Sequence, residues 1–255
     1  MKYALLFVLI WMLSACQALI SPAEQEENDL RAESHYRLGI HALQMHSAKN
    51  NLLPKAFKEL LIAEEFSPQR ADILDALGYA WSLHGNLKKA EAYYVRAIKY
   101  DASAATYNNY GGLLLKQGHP KEAEKQFRKA LEDPRYVNSF LAYINLGDAL
   151  LEQSRFSEAI PAYRQAKLLN PNQEVSRMKE AEAYVRYRMD SHAIALYETI
   201  VREHPTYKQA LQGFLRLLRQ NGDVAKIRLY LRTFREKTDA PADQRWAEKQ
   251  LNLLR

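Results

Sequence analysis

The sequence predicts an all-α fold built from about six helix-turn-helix repeats. Only nine glycines and nine prolines occur in 255 residues, and the long stretches between them are rich in good helix formers such as Ala, Leu, Glu and Lys. Small and large residues also recur in register, and Gly78, Gly111 and Gly147 are separated by steps of 33 and 36 residues. The alternating runs typical of a β-sandwich are missing. An irregular helical bundle is the alternative, but it would not repeat the same residues in register.

The first 15 residues have the layout of a bacterial secretory signal. Met1 and Lys2 form a short cationic start, and an apolar run from Tyr3 to Leu13 follows. That run is too short to span a membrane, because a spanning helix needs about 20 apolar residues. We therefore expect the chain beyond residue 15 to be exported.

The tetrapeptide Leu13-Ser14-Ala15-Cys16 resembles the lipobox of bacterial lipoproteins. The resemblance implies that residues 1–15 are removed as a signal peptide and that Cys16 carries covalent diacylglycerol and N-acyl chains. Two or three such chains hold a soluble domain firmly on a bilayer. Gln17 follows the cysteine instead of Asp, and this implies the periplasmic face of the outer membrane. The alternative is an ordinary signal peptide with an incidental cysteine.

Cysteine content and charge distribution argue against disulfide bonds and against a nucleic-acid partner. Cys16 is the one cysteine, so no disulfide is expected and stability must come from packing. The formal charge is +6, with Lys and Arg interspersed among Asp and Glu as on a solvated helical surface. A nucleic-acid binder usually has a basic stripe with aromatic residues beside it. We therefore predict no nucleic-acid partner.

Three strong copies of the repeat occupy the middle of the chain. In each copy, a first helix carries a glycine, and a second helix carries an aromatic residue between two alanines. Glycine and alanine leave room where the two helices cross, and the aromatic residue is expected to fill the space toward the next repeat. These positions are Gly78, Ala90, Tyr94 and Ala97, then Gly111, Ala123, Phe127 and Ala130, then Gly147, Ala159, Tyr163 and Ala166.

This pattern is similar to the tetratricopeptide repeat. The resemblance implies a right-handed superhelix whose concave face is lined by the first helix of every repeat. Weaker copies lie upstream at Leu38-Gly39 and downstream near Ala181 and from Lys208. We assign residues 16–30 to a lipidated N-terminus and polar tether, 31–240 to six repeats, and 241–255 to a C-terminal capping helix.

The sequence contains no recognisable catalytic or metal-binding motif. Its seven histidines form no pair at the i, i+4 spacing of a helical metal site. The segment from Gly111 to Gly118 lacks the Gly-Lys-Ser/Thr ending of a phosphate loop, and no Gly-x-Ser-x-Gly motif occurs. We therefore predict that the protein is not an enzyme and uses no cofactor, metal or small-molecule substrate.

The repeat resemblance also implies a partner-binding groove along the first helices. Five positions of each copy face a bound segment in that family, and they combine apolar side chains, amides and carboxylates that suit a peptide or helix from a partner protein. Two alternatives stay open: Asn109 and Asn145 could support the helix pair, and Tyr36, Ile40 and Tyr79 could pack on the neighbouring repeat. The predicted groove residues are Tyr36, Ile40, Leu43, Asp72, Asp75, Tyr79, Asn108, Asn109, Leu115, Leu141, Ile144, Asn145, Asp148 and Leu151.

An outer-membrane lipoprotein of six such repeats resembles the type IV pilus biogenesis and stability lipoproteins, the secretin pilotins. The most specific points are the lipobox at Cys16, the stretch from Ala71 to Pro171, and a two-residue enlargement near residues 133–136. The resemblance implies that the protein binds the secretin subunit and carries it to the outer membrane, where the subunits assemble into a ring. The alternative is a repeat scaffold that organises cell-wall enzymes or outer-membrane protein assembly.

Overall fold

The structure is a computed structural model that describes residues 21–101 and 103–254. Within these residues the chain forms thirteen α-helices and no strand, which confirms the predicted all-α fold. The predictions at residues 1–20, including the lipobox and Cys16, lie outside the described residues. Nowhere in the described part is a helix both long and apolar enough to cross a membrane. The helices are α1 (Pro22–Gln44), α2 (Leu53–Phe66), α3 (Ala71–Leu83), α4 (Leu87–Lys99), α5 (Ala104–Lys116), α6 (Pro120–Leu131), α7 (Ser139–Glu152), α8 (Phe156–Leu169), α9 (Glu174–Arg186), α10 (Asp190–Glu203), α11 (Lys208–Gln220), α12 (Val224–Lys237) and α13 (Pro241–Asn252).

The helices belong to two compact units, which meet in sequence after Asp101. In the N-terminal unit, α1 packs on α2, α2 on α3, and α3 on α4. In the C-terminal unit, every helix from α5 to α12 packs on the helix that follows it. Each unit is therefore a series of helix pairs, as a helical-repeat fold requires. The last helix, α13, packs on α12 with Trp246 edge-on to Phe234, the arrangement expected of a capping helix.

Several helices of the repeats end in a residue with positive φ. Gly85 (φ +87°) follows α3, Gly118 (φ +81°) follows α5 and Gly222 (φ +70°) follows α11, each close to the helix end. Glycine adopts this left-handed conformation without strain and is therefore common just past a helix C-terminus. Ser154 and Arg188 take the same conformation after α7 and α9. The turn geometry is therefore kept even where glycine is absent.

Helix α1 begins earlier than we predicted. Residues 22–30, which we assigned to a polar tether, are the first turns of this helix. The hydroxyl of Ser21 caps it by accepting a hydrogen bond from the Glu24 amide (3.2 Å), and a proline follows at its first position. Asp29 in turn accepts a hydrogen bond from Ser67 Oγ (2.7 Å) at the end of α2. The polar run is thus an exposed helix held against its neighbour, since polar composition alone does not distinguish a tether from a solvated helix.

The glycines of the three strong copies lie against the aromatic ring of the paired helix. A Cβ atom added to Gly111 would lie 2.5 Å from Phe127 Cε1, and one added to Gly147 would lie 2.5 Å from Tyr163 Cε1. The equivalent distance at Gly78 is 2.9 Å, to Tyr94. We predicted that these rings fill the space toward the next repeat. The structure places each ring over the glycine of its own repeat, because the missing side chain lets the ring approach the helix backbone.

In the fifth and sixth copies, the glycine and the aromatic ring that contact each other belong to different repeats. The fifth copy carries Ala181 where the strong copies have glycine, and Ala181 is fully buried. Its aromatic residue, Tyr197, instead lies against Gly213 of α11, where an added Cβ would be 2.6 Å from the ring. Here the contact between glycine and ring therefore joins two successive repeats. This explains why the sequence of the last two copies departs from the repeat pattern.

A network of charged side chains joins α6 to α7 and α8. Glu124 accepts hydrogen bonds from Arg128 and Gln153 at 2.8 and 3.0 Å, and from Arg155 at 2.5 Å. Burial raises the pKa of Glu124, but these donors outweigh it and hold the pKa below the usual glutamate value. A carboxyl whose pKa is lower in the folded state than in the unfolded state stabilises the fold. This contribution is complete at pH values above the unfolded-state pKa, and it is lost as the pH falls through the folded-state pKa.

We therefore expect Glu124→Gln to lower the unfolding free energy by about 1 kcal/mol at pH 7. The difference between the variant and the wild type should shrink as the pH falls below about 4.3, the unfolded-state pKa of glutamate. Urea unfolding at pH 7 and below pH 4 measures both. Glu132→Gln is the matched control, because Glu132 forms an exposed pair with Lys129 and its loss should change little. A constant difference across this pH range would contradict the assignment.

Candidate partner-binding surface

The predicted groove residues of the N-terminal unit lie on α1 and α3. The phenol ring of Tyr36 lies under the guanidinium of Arg70, 5.1 Å from the ring centroid. Burial, together with the negative charges of Asp72 and Asp75, raises the pKa of Tyr36 to about 12. The hydroxyl therefore stays protonated at neutral pH and can donate a hydrogen bond.

Arg70 organises the charges around this tyrosine. Its Nε and a terminal nitrogen donate to the two carboxylate oxygens of Asp72 at 2.9 and 2.8 Å, and the same arginine also pairs with Glu33 of α1. Such a two-point contact fixes the orientation of both groups. Tyr79, on the same helix as Asp72, is 43% exposed. The N-terminal unit thus offers an exposed tyrosine on the same helix whose first turn holds this fixed cluster of charges.

The predicted groove residues of the C-terminal unit lie on α5 and α7. Asn145 Nδ2 donates to Asn108 Oδ1 over 3.0 Å, and Asn108 is buried. This bond joins the first helices of two successive repeats. Asn145 was expected either to bind a partner or to support the packing of the helices. The observed bond supports the second alternative, and it joins successive repeats. Asn109 and Leu115 are half-buried, and Leu141 is exposed near the start of α7.

Four of the predicted groove residues are buried, which corrects the prediction. Leu43, Ile144 and Leu151 are less than 10% exposed and belong to the apolar cores of their units. Asn108 is buried by its contact with Asn145. The five groove positions of each copy were assigned from sequence spacing, which does not distinguish the open groove from the contact between neighbouring helices. An apolar side chain near that contact lowers the free energy of the fold by being buried in it. Leu43, Asn108 and Ile144 are therefore part of the packing, whereas Leu151 is buried but also lines a cavity together with Asp148.

Asp148 lies where the two helices of its repeat and the following helix α9 meet. Its Oδ1 accepts a hydrogen bond from the Tyr163 hydroxyl (2.7 Å) and lies 3.1 Å from Lys179 Nζ. Burial, followed by the charge of Asp148, raises the pKa of Tyr163. The tyrosine is therefore a fixed donor that orients the carboxylate. Asp148 also lines a cavity of 340 Å³ together with Lys179, Glu182, Arg186 and Arg216.

Sequence reasoning missed the part of this surface that lies on α9 and α11. Lys179, Glu182 and Arg186 follow one another at steps of three and four residues, so they share one face of α9. Glu182 follows Ala181 as Asp148 follows Gly147, so extending the groove register to the fifth copy would have found it. In the described part of the chain, no group of three His, Cys, Asp or Glu side chains is arranged to hold a metal ion.

Comparison with known families identifies the repeat in the middle of the chain. Residues 111–174 match the family described as tetratricopeptide repeat. Helix pairs continue on both sides of this segment. Residues 111–174 are thus tetratricopeptide repeats, and the helix pairs on either side extend the same type of helical-repeat fold.

Solved structures with this fold include two proteins of type IV pilus biogenesis. PilF of Pseudomonas aeruginosa is 22% identical, with a TM-score of 0.70 over 88% of this chain and 99% of that one. PilW, described as a widely conserved type IV pilus biogenesis factor, is 17% identical, with a TM-score of 0.72 over 81% and 93%. YrrB, a repeat protein with an unusual peptide-binding site, is 18% identical, with a TM-score of 0.58 over 73% and 93%. These similarities show a shared fold.

Two curated relatives match a shorter part of the chain. The tetratricopeptide repeat and J domain-containing co-chaperone DNJ1 of Cryptococcus neoformans is 31% identical over 109 residues, which are 42% of this chain. The ycf37 protein of Cyanophora paradoxa is 28% identical over 102 residues, or 39% of this chain. The matched segments span 21% and 59% of these two proteins, respectively.

Proposed function

We propose that this protein is an outer-membrane lipoprotein adaptor, a pilotin, which binds the secretin subunit of the type IV pilus. In this role it promotes the localisation of the secretin to the outer membrane and its assembly into multimers. The observation that carries the proposal is the similarity of fold to PilF and PilW, which extends over 99% and 93% of those chains. The lipobox at Cys16 supports the membrane location.

The proposed anchor and the repeats are close together in sequence. Helix α1 begins at Pro22, six residues after Cys16, and even a fully extended segment of that length spans only about 20 Å. Lipid chains on Cys16 would therefore keep the helical repeats near the membrane surface. A secretin segment held by the repeats would be carried along the same route as the anchor.

The exposed residues of the predicted groove are suited to such a segment. In the N-terminal unit, Tyr79 supplies apolar surface at an exposed position and Asp72 supplies a carboxylate held by Arg70. In the C-terminal unit taken by itself, Leu141 is exposed and Asp148 supplies a carboxylate held by Tyr163. Large, rigid tyrosine side chains contribute strongly to protein interfaces because they bury much area at a small entropic cost. We therefore expect Tyr79 to be an important contact.

An affinity pull-down from detergent-solubilised cell envelope tests the proposal. We expect the intact protein to recover the secretin, and Tyr79→Ala to reduce recovery at least about fivefold, as loss of more than about 1 kcal/mol of binding energy would. Tyr187→Ala is the matched control, because Tyr187 is 45% exposed but is not a predicted groove residue.

Three outcomes would count against parts of the proposal. Recovery of cell-wall enzymes instead of the secretin would favour the scaffold alternative. Recovery of neither would overturn the adaptor function. Equal recovery of the secretin by all three baits would keep the function but place the contact on another surface. Thermal unfolding of both variants checks that the fold is intact.

A further inference from the structure

The cavity beside Asp148 adjoins a larger one at the C-terminal end of the C-terminal unit, and the two share Lys179, Glu182, Tyr197 and Arg216. The larger cavity has a volume of 740 Å³ and is lined by α9, α10, α11 and α13; we call it the C-terminal pocket. None of the predicted groove residues lines it. Its apolar part includes the rings of Tyr197 and Trp246, and its polar part includes Glu182, Gln209, Gln212 and Arg216. It is large enough for several residues of a peptide, since ligand cavities begin at roughly 300 Å³.

The polar side chains of this pocket fall into two groups. Lys179 is paired with Asp148 over 3.1 Å, and Arg219 donates to Gln250 over 2.7 Å, whereas four others have no such partner among the described residues. Within residues 21–101 and 103–254, Glu182, Gln209, Gln212 and Arg216 form no hydrogen bond or ion pair. Charged neighbours outside the pocket are paired: Arg164 contacts Glu180, Arg177 contacts Glu203, and Arg186 contacts Glu152. The donors of Arg216, Gln209 and Gln212 are therefore available to a ligand in the pocket.

The arrangement of the pocket favours a ligand with negative charge. Lys179 is already paired with Asp148, so Arg216 and Arg219 supply two positive charges against one negative charge on Glu182. The guanidinium of Arg216 offers several N–H donors in a planar fork, which matches the two oxygens of a carboxylate. Gln209 and Gln212 each offer an amide that can both donate to and accept from a peptide backbone. Glu182 is placed to accept a backbone N–H and to repel a second acidic group.

The aromatic residues of the pocket are held in fixed positions. A Cβ on Gly213 would lie 2.8 Å from the Tyr197 hydroxyl, so this glycine lets the ring lie against α11. Burial, then the charge of Glu182, raises the pKa of Tyr197 to about 12, so its hydroxyl remains a donor at neutral pH. Trp246 stacks under Lys208, whose Nζ is 4.9 Å from the ring centroid, and Lys208 is itself paired with Asp243 over 2.7 Å. The apolar surface is therefore preformed.

We propose that the C-terminal pocket binds an extended peptide segment of a partner protein through one acidic side chain. The carboxylate pairs with Arg216, the amides of Gln209 and Gln212 bind the peptide backbone, and Trp246 contacts an adjacent apolar side chain. This site goes beyond the proposed pilotin function and does not require that the partner be the secretin. A partner that occupies this pocket together with the predicted groove residues would gain avidity from two contacts.

Peptide libraries test the proposal on the purified protein. Two nonapeptide libraries, acetylated and amidated at their ends, carry Glu or Gln at the central position and random residues elsewhere. We expect immobilised protein to retain the Glu library at least about tenfold better than the Gln library, the effect of one charge-assisted hydrogen-bonded pair. In Arg216→Gln this preference should vanish, and in Arg216→Glu a library with central Lys should be preferred. The control, Arg232→Gln, removes an exposed arginine of α12 that does not line the pocket and should keep the preference for Glu.

Two further measurements locate the bound peptide and identify the group that is recognised. A retained Glu peptide should shift the indole ¹H–¹⁵N resonance of Trp246 and leave that of Trp81, in the N-terminal unit, unchanged. A shift at Trp81 alone would overturn the location. Equal retention of the Glu and Gln libraries would overturn the acidic specificity. Retention of a Gln library only when its C-terminus is a free carboxylate would also overturn the proposal, because the recognised group would then be a chain end. Unchanged thermal unfolding of Arg216→Gln shows that any loss is not due to misfolding.

Discussion

Replacing Gly111 by alanine is expected to lower the unfolding free energy of the C-terminal unit by about 2 kcal/mol. The added Cβ would lie 2.5 Å from Phe127 Cε1 and 2.8 Å from Cδ1, well inside van der Waals contact. Phe127 is fully buried between α6 and its neighbours, so the ring cannot move into solvent. The cost of separating the two helices outweighs the gain of about 1 kcal/mol that alanine normally brings to a helix interior.

The adjacent residue provides a matched control. Gly112 lies in the same helix, and a Cβ added to it would meet no heavy atom within 4 Å. Gly112→Ala should therefore raise the unfolding free energy by up to about 1 kcal/mol, because it restricts the unfolded chain and introduces no clash. Urea unfolding followed by circular dichroism measures both variants. Two neighbouring Gly→Ala changes should thus move stability in opposite directions.

A second substitution tests whether the ring is the cause. If Phe127 blocks the new methyl group, Phe127→Leu should destabilise the protein less in the Gly111→Ala background than in the wild type. We expect a coupling energy of at least about 1 kcal/mol, as for other directly contacting residues. Equal effects of Gly111→Ala and Gly112→Ala, or additive effects of the pair, would show that the glycine serves another purpose.

Replacing Cys16 by serine is expected to release the protein from the membrane. Each buried methylene of an acyl chain contributes about 0.8 kcal/mol, so the loss of two or three chains should move nearly all of the protein to the soluble fraction. If the proposed pilotin function is right, the secretin should then fail to form rings in the outer membrane. Membrane fractionation and detection of secretin multimers measure the two effects separately.

The control for this experiment changes the residue expected to direct sorting between the two membranes and keeps the lipidated cysteine. Gln17→Asp should leave the protein lipidated but retained in the inner membrane, by the sorting preference that the lipoprotein resemblance implies. Helices α1 to α13 contain neither residue, so thermal unfolding should be unchanged in both variants. Normal secretin rings in Cys16→Ser cells would contradict the proposal. A membrane-bound Cys16→Ser protein would contradict the lipid anchor itself.

Much of the fold could be predicted because the repeat is a local pattern. The spacing of Gly78, Gly111 and Gly147, with an aromatic residue following each in the paired helix, predicted the helix pairs and their close contact. Local chemistry also set the turns, as the positive φ of Gly85 and Gly118 shows. The start of α1 was misjudged, since a polar run has the same composition whether it is a tether or an exposed helix held by Asp29 and Ser67.

The candidate site was less predictable because it depends on contacts between repeats. The repeat positions selected Tyr79, which is exposed, and Asp148, which lines a cavity, but they also selected Leu43 and Ile144, which the neighbouring helices bury. The predicted groove did not include Glu182 and Arg216, which line the same cavity as Asp148, although the same repeat positions applied to the fifth copy would have selected Glu182.

The sequence by itself determined the helical repeats, the residues that let paired helices approach, and the lipobox that predicts an anchor. Each of these depends on spacing along one chain segment. Only the tertiary structure decided which side chains are left without partners, because that depends on residues far apart in sequence. Among residues 21–101 and 103–254, Arg216 has no partner while Arg164 and Arg186 are paired, and no local pattern distinguishes these three arginines. The C-terminal pocket exists because α9 and α11 bring unpaired polar groups to one cavity, which Trp246 of α13 also lines, and that follows from packing rather than from any motif.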